Sequence, residues 1–393
     1  MKKRISLLLA VLLVITTLPA QASAVVKNVG TPVETDTLIS SENLEHNFVK
    51  VTADGDTLNI EVETPIQADQ FSISVRGVKP AAKTHDWCRY VTPTDMGGYY
   101  RFETSLGLYA KQNGKEKLTD GTYVLCITMP PKTSGNRSDM FYKNCNFKLE
   151  NGKFTILKYN KIVKENARLE KNASSIKPKN CKKTNLSDYK NLFFKDPVTK
   201  KVASVTSKKV KYFKRVSDAV TKGASSDYEK LCKIYEYIGE NFYYDDIAFK
   251  TSTKQYVDPY RNLYNLRNQK KSANSQDGKV ATTCVGYSAA VVALARAQGI
   301  PSRVVNGHHV AMGTDRYYNW SNEEDITKID HWWAECYVDG RWITVDATTA
   351  NSNKWNRSTK TWNYTGLTNY IYFDPTPEQL ATSHVVLTIK GTK

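Results

Sequence analysis

Two runs of aromatic and β-branched residues meet at Asp339-Gly340: His331-Trp332-Trp333-Ala334-Glu335-Cys336-Tyr337-Val338 before it and Arg341-Trp342-Ile343-Thr344-Val345-Asp346 after it. This is the tightest constraint in the chain, because Asp-Gly between such runs specifies a two-residue hairpin loop. Such a loop pairs Val338 with Arg341, and the same register sets His331 opposite Thr348 and Trp333 opposite Asp346. His331 and Trp333 share a face of a strand whose period is two, so His331 and Asp346 become diagonal neighbours within hydrogen-bonding reach. The spacing predicts an imidazole oriented by a carboxylate, provided that no bulge shifts the register. Cys336 alternates onto the opposite face and reads as core.

Upstream, Thr282-Thr283-Cys284-Val285-Gly286-Tyr287 opens an alanine-rich run that reaches Gln298 and ends at Gly299 and Pro301. Good helix formers with a threonine N-cap and a glycine stop place Cys284 in the first turn of a helix. Unpaired backbone N–H groups and the positive end of the helix dipole stabilise a thiolate there. The same N–H groups can face the oxyanion formed when the sulfur attacks a carbonyl. Taken singly, Cys284 reads equally as a core thiol or half of a disulfide, His331 as a strand histidine and Asp346 as a strand-end aspartate. Jointly they suit nucleophilic acyl transfer. The histidine takes the thiol proton, the carboxylate fixes its tautomer, and the imidazolium later protonates the leaving amine.

The order Cys284, Gly299-Ile300-Pro301-Ser302-Arg303-Val304-Val305-Asn306-Gly307, His331-Trp332-Trp333-Ala334-Glu335 and Gly340-Arg341-Trp342-Ile343-Thr344-Val345-Asp346-Ala347-Thr348 resembles the core of the transglutaminase-like (transglutaminase and papain-like) superfamily. The likeness runs over about residues 226–350, and Tyr370, Phe373 and Asp374 resemble the tail often seen beyond it. It implies a Cys-His-Asp triad at Cys284, His331 and Asp346, and an α+β fold in which the helix bearing the cysteine packs on an antiparallel sheet. Asp346-Ala347-Thr348 stands where the family usually has aspartate-proline-threonine, and Trp333 where a smaller residue is common; neither departure touches the triad. The implied activity is that of a transglutaminase-like acyltransferase or a cysteine protease on protein or peptide amides, through a thioester. The competing reading is a cell-surface binding or adhesion protein whose transglutaminase-like domain is catalytically silent.

A length of 393 residues leaves room for two or three folded units, and 40% hydrophobic with 11% aromatic content excludes wholesale disorder. Lys2, Lys3 and Arg4, the apolar run Ile5 to Leu18 and Ala22-Ser23-Ala24 read as a secretory signal peptide over residues 1–24. The run is shorter than the roughly 20 residues of a spanning helix. Export makes nucleic acid an improbable partner and a cell-wall polymer a plausible one. Residues 25–157 carry short alternating runs, starting with a hairpin of Phe48 to Val62 around Asp54-Gly55-Asp56, and predict an all-β sandwich-like domain. Residues 158–222 hold 19 Lys or Arg against 5 Asp or Glu, which with the N-terminal cations accounts for the whole formal charge of +17. They read as a solvated, partly helical basic connector able to touch an anionic wall polymer. Residues 223–393 form the catalytic domain in this division, beginning with a helix from Asp227 to Asn241 capped by Ser225 or Ser226, then a polar irregular stretch from Tyr243 to Thr282.

No metal or cofactor is expected. His308-His309 lacks a further ligand at a recognisable spacing and reads as a loop, and Asp54-Gly55-Asp56 lacks the remaining ligands of a calcium loop. Of the other six cysteines, Cys88, Cys126, Cys145 and Cys181 are the most plausible to pair. Trp332, Trp333, Trp342, Trp355 and Trp362 either wall a cleft or fill the core.

Overall fold

Alternation along Phe48–Asp54 and Thr57–Thr64 sends Val49, Val51, Leu58, Ile60 and Val62 to one side, and that side is buried. The computed structural model describes residues 36–77, 87–109, 117–129, 139–174, 185–192, 194–195, 200–250, 256–309, 330–351, 353–363 and 369–390. Residues 1–24, which the sequence reads as a signal peptide, and Cys181 lie outside them.

Ten strands make up the first half: β1 (Asp36–Ile39), β2 (Phe48–Asp54), β3 (Thr57–Thr64), β4 (Phe71–Gly77), β5 (Trp87–Val91), β6 (Thr94–Asp95), β7 (Tyr100–Gly107), β8 (Gly121–Met129), β9 (Asp139–Glu150) and β10 (Lys153–Ile156). They pair antiparallel into two five-stranded sheets, β1-β2-β3-β7-β6 and β10-β9-β8-β4-β5, around a shared core that includes Ile60, Phe71, Phe102, Leu125 and Phe147. Three strands escaped the reading of the sequence: β1, β5 and β6. All three are edge strands, where one unpaired side and few residues leave little periodicity to read.

The second half holds the helices α1 (Asn160–Ser174), α2 (Ser207–Val220), α3 (Asp227–Asn241), α4 (Asp246–Lys250), α5 (Pro259–Arg267), α6 (Cys284–Ala297) and α7 (Pro377–Ala381). Its strands are β11 (Phe242–Tyr244), β12 (Ser275–Gln276), β13 (Lys279–Thr282), β14 (Ser302–His309), β15 (Asp330–Val338), β16 (Arg341–Val345), β17 (Lys354–Asn356), β18 (Thr361–Asn363) and β19 (His384–Lys390). They form the sheets β12-β13-β11-β17-β18 and β16-β15-β14-β19. α6 is buried along nearly its whole length, and its small Ala and Val side chains let β15 approach one flank and α2, α3 and α5 the others. Each Val or Leu so buried contributes about 1.5–3 kcal/mol.

The residues 243–282, expected to be irregular, carry β11, α4, α5, β12 and β13. α5 starts where the Asp258 side chain accepts the N–H groups of Tyr260 and Arg261 beside Pro259, an N-cap hidden by the shortness of the helix. The basic segment is more than a solvated connector. Val210, Phe213 and Val216 of α2 enter the same core as α6, and Ile162 and Asn166 of α1 are buried near β19. Its lysines occupy the opposite faces, as an amphipathic helix requires. His308 and His309 end a strand instead of forming a loop. They pair with Val385 and His384 of β19, far along the chain, so no local pattern marked them.

Candidate active site

Asp339 and Gly340 both take positive φ, 50° and 80°, as the two central residues of a type I′ turn do. The register runs from Val338↔Arg341 to Ala334↔Val345, the pairing expected from the sequence. It brings His331 Nε2 to 2.8 Å from Asp346 Oδ2, with both side chains buried. Asp346 is fixed from several sides. Its Oδ1 accepts the Thr348 N–H at 3.0 Å, its own N–H donates to the Tyr372 carbonyl at 2.9 Å, and the Thr349 hydroxyl donates to its carbonyl at 3.0 Å. The turn Ala347–Thr349 that supplies these donors starts directly at the end of β16.

Cys284 occupies the first helical position of α6, after Thr283 at the N-cap; the Thr283 side chain makes no capping bond. This end of the helix is set by a close backbone approach. A Cβ on Gly286 would lie 2.0 Å from Thr282 Oγ1, so no larger residue fits there without displacement. β13 leads into the helix through Thr282, which pairs in parallel with Tyr244 of β11. The thiol of Cys284 is hydrogen-bonded to His331. Since Nε2 of that ring faces Asp346, Nδ1 is the nitrogen turned to the sulfur.

Burial opposes a charge on His331, but the Asp346 carboxylate and the Cys284 contact outweigh it and push the imidazole up to about 10. Burial likewise opposes the charge of Asp346, and the neighbouring His331 and His384 overcome it, holding this carboxyl well below its usual range. The site is therefore arranged for an imidazolium between a carboxylate and a sulfur. The Tyr244 phenol stays protonated, raised by burial and then by Cys284.

The structure thus brings all three sequence-derived candidates, Cys284, His331 and Asp346, together. It also adds His384, which sequence reasoning missed, and His309, which it had read as a loop residue. His384 Nε2 lies 3.2 Å from Asp346 Oδ2, and the His309 ring stands 4.5 Å by centroid from both His331 and His384. His309, Asp346 and His384 offer ligand-type atoms within 4.8 Å of one another. Of these, His384 Nε2 and Asp346 Oδ2 share a hydrogen bond, and His309 meets the His331 and His384 rings by packing. Of the tryptophans, Trp333 is fully buried against His331 and His384, Trp355 and Trp362 pack with Tyr243, Trp332 meets Phe194, and Trp342 lies under the Arg303 guanidinium. Cys88, Cys145, Cys232 and Cys284 are free thiols.

Residues 214–347 match the Transglutaminase-like superfamily, a span that includes Cys284, His331 and Asp346. No curated protein sequence matches the chain. Among solved structures, the chain aligns with a candidate cysteine protease from Cytophaga hutchinsonii at 12% identity, over 85% of this chain and 88% of that one, with a TM-score of 0.28. A transglutaminase from red sea bream aligns at 10% identity over 75% of this chain and 48% of that one, with a TM-score of 0.26. A candidate protease from Parabacteroides distasonis aligns at 11% identity over 74% of this chain but 39% of its own length, with a TM-score of 0.23. At such distances these likenesses assign no residue a role.

Proposed function

Residues 214–347 form a transglutaminase-like domain, and from that premise we propose that the chain is an exported cysteine enzyme acting on protein or peptide amide bonds. The observation that carries this reading is the buried chain of contacts from Cys284 through His331 to Asp346, with the imidazole 2.8 Å from the carboxylate. An imidazolium beside the sulfur favours the thiolate, which attacks the carbonyl carbon of a carboxamide or peptide. The N–H groups of the first turn of α6 are the donors available to the oxyanion. His331 then gives its proton to the departing ammonia or amine, leaving a thioester on Cys284. An amine acceptor turns that thioester into a cross-link; water completes a deamidation or a proteolysis. Asp346 holds the ring throughout and remains a carboxylate.

In this reading the β-rich module of residues 25–157 and the basic segment 158–222 serve location, and residues 223–393 the chemistry. Exposed lysines of α1 and α2, such as Lys164 and Lys211, are the groups that would meet an anionic wall polymer after export. Among the described residues no helix is long and apolar enough to cross a membrane.

The test is alkylation by iodoacetamide near neutral pH. Cys284 is expected to react much faster than an ordinary exposed thiol, the fast phase to vanish in Cys284→Ala, and His331→Ala to slow it strongly. A Cys284 that reacts no faster than an ordinary thiol, with His331→Ala without effect, would rule the enzyme reading out.

A further inference from the structure

Two imidazoles converge on one oxygen of Asp346. His331 Nε2 meets Oδ2 at 2.8 Å and His384 Nε2 meets the same atom at 3.2 Å, while Oδ1 is taken by the Thr348 N–H. His384 is fully buried and opens β19, well beyond the segment that matches the superfamily. Its other nitrogen, Nδ1, lies 2.8 Å from Ser383 Oγ, whose hydroxyl donates to the Tyr372 oxygen at 2.5 Å. The backbone is held as firmly. Asn166 of α1 donates through Nδ2 to the His384 carbonyl at 3.1 Å and accepts the Val386 N–H at 2.9 Å.

A carboxylate only accepts hydrogen bonds, so the proton of a neutral His384 must sit on Nε2, leaving Nδ1 unprotonated beside Ser383 Oγ. Burial, aided by the charge on His331, lowers the pKa of His384 against the pull of Asp346, which favours this neutral form. Among the described residues, the other titratable groups near Asp346 are His309 from β14 and the phenols of Tyr235, Tyr244 and Tyr287, with Cys284 of α6 beyond His331. Burial keeps those phenols protonated, so none of them supplies a competing charge at neutral pH.

We propose that His384 is a positioning residue of the site: as a neutral imidazole it donates Nε2–H to Asp346 Oδ2, keeps that carboxylate ionised, and aims it at His331. This rests on the reading of Cys284, His331 and Asp346 as a working triad. It also gives α1, from the basic segment, a part in the site, because Asn166 fixes the backbone of His384.

Two measurements on the full chain test the proposal. With ¹⁵N-histidine labelling, His384 is expected as the Nε2–H tautomer across about pH 6–8; a cationic ring or the Nδ1–H tautomer overturns the proposal without reference to activity. In the second, iodoacetamide labelling of Cys284 is followed against pH in wild type, His384→Phe and His384→Gln. Losing a charge-assisted donor to the carboxylate is expected to move the acidic limb of His384→Phe up by about one pH unit. His384→Gln, whose amide restores an N–H donor, is expected to return the limb toward wild type. A variant that lowers the rate equally at every pH, or a limb that does not move, overturns the positioning role. Should His384→Phe fail to fold, the tautomer and the His384→Gln profile still decide. A wild type with a slow Cys284 defeats the triad reading itself, whereas a fast wild type with unmoved limbs defeats only the role of His384.

Discussion

Replacing Asp346 by Asn removes one negative charge at nearly constant shape, and the consequence can be worked from His331. That imidazole is held at about 10 against burial, while an ordinary histidine titrates near 6.5. That gap, about 5 kcal/mol in favour of the charged ring, is what Asp346 and the Cys284 contact supply net of burial. With the carboxylate gone burial has the upper hand, and the ring becomes neutral at pH 7. An asparagine amide that donates toward Nε2 would in addition favour the wrong tautomer. The rate of Cys284 alkylation at pH 7 is therefore expected to fall by about tenfold or more in Asp346→Asn. The same gap fixes the sign of a stability effect. The folded pKa lies above the unfolded one, so the contribution is complete below pH 6.5 and is lost as the pH rises toward 10. Urea unfolding of the wild type should weaken over that window, and Asp346→Asn should lack this part of the decline. Labelling at the wild-type rate, together with an unchanged fall in stability between those pH values, would refute the reasoning.

Gly286→Ala is expected to cost about 1–3 kcal/mol or more in urea unfolding and to slow Cys284 alkylation, because the new methyl meets Thr282 at the start of α6; a variant as stable and reactive as wild type would contradict the close approach. Arg303 is fully buried, bonded to Glu335 at 2.6 Å and also to Glu170, so Arg303→Met leaves Glu335 without its cation and should cost about 3–5 kcal/mol. Glu335→Gln in the Arg303→Met background should recover part of that loss, and no recovery would show that packing dominates.

The parts of the site legible in the sequence are those set by short-range rules. Asp339-Gly340 dictates a turn, the turn dictates the register, and the register puts His331 beside Asp346. Ser226 and the stripe Leu231, Ile234, Tyr235 and Ile238 likewise define α3 from its own residues. His384 has no such signal. Its place beside Asp346 depends on β19 pairing with β14, which joins His309 to His384 across most of the domain, and on Asn166 arriving from α1. The fate of α2 was hidden for another reason: its lysines dominate the composition, while Val210, Tyr212, Phe213 and Val216, which seat it in the core, are spaced by helical geometry. Net charge describes the solvated face of such a helix and is silent about the buried one.

The central claim is that Cys284 forms a thioester with a protein-derived acyl group. Its most direct measurement is mass spectrometry of the full chain quenched in acid after mixing with a glutamine-containing peptide, alone and with a labelled primary amine. The account requires an acyl adduct on the peptide containing Cys284, absent in Cys284→Ala and discharged by hydroxylamine. No adduct on Cys284 with any peptide tested, or turnover that persists in Cys284→Ala, would contradict it.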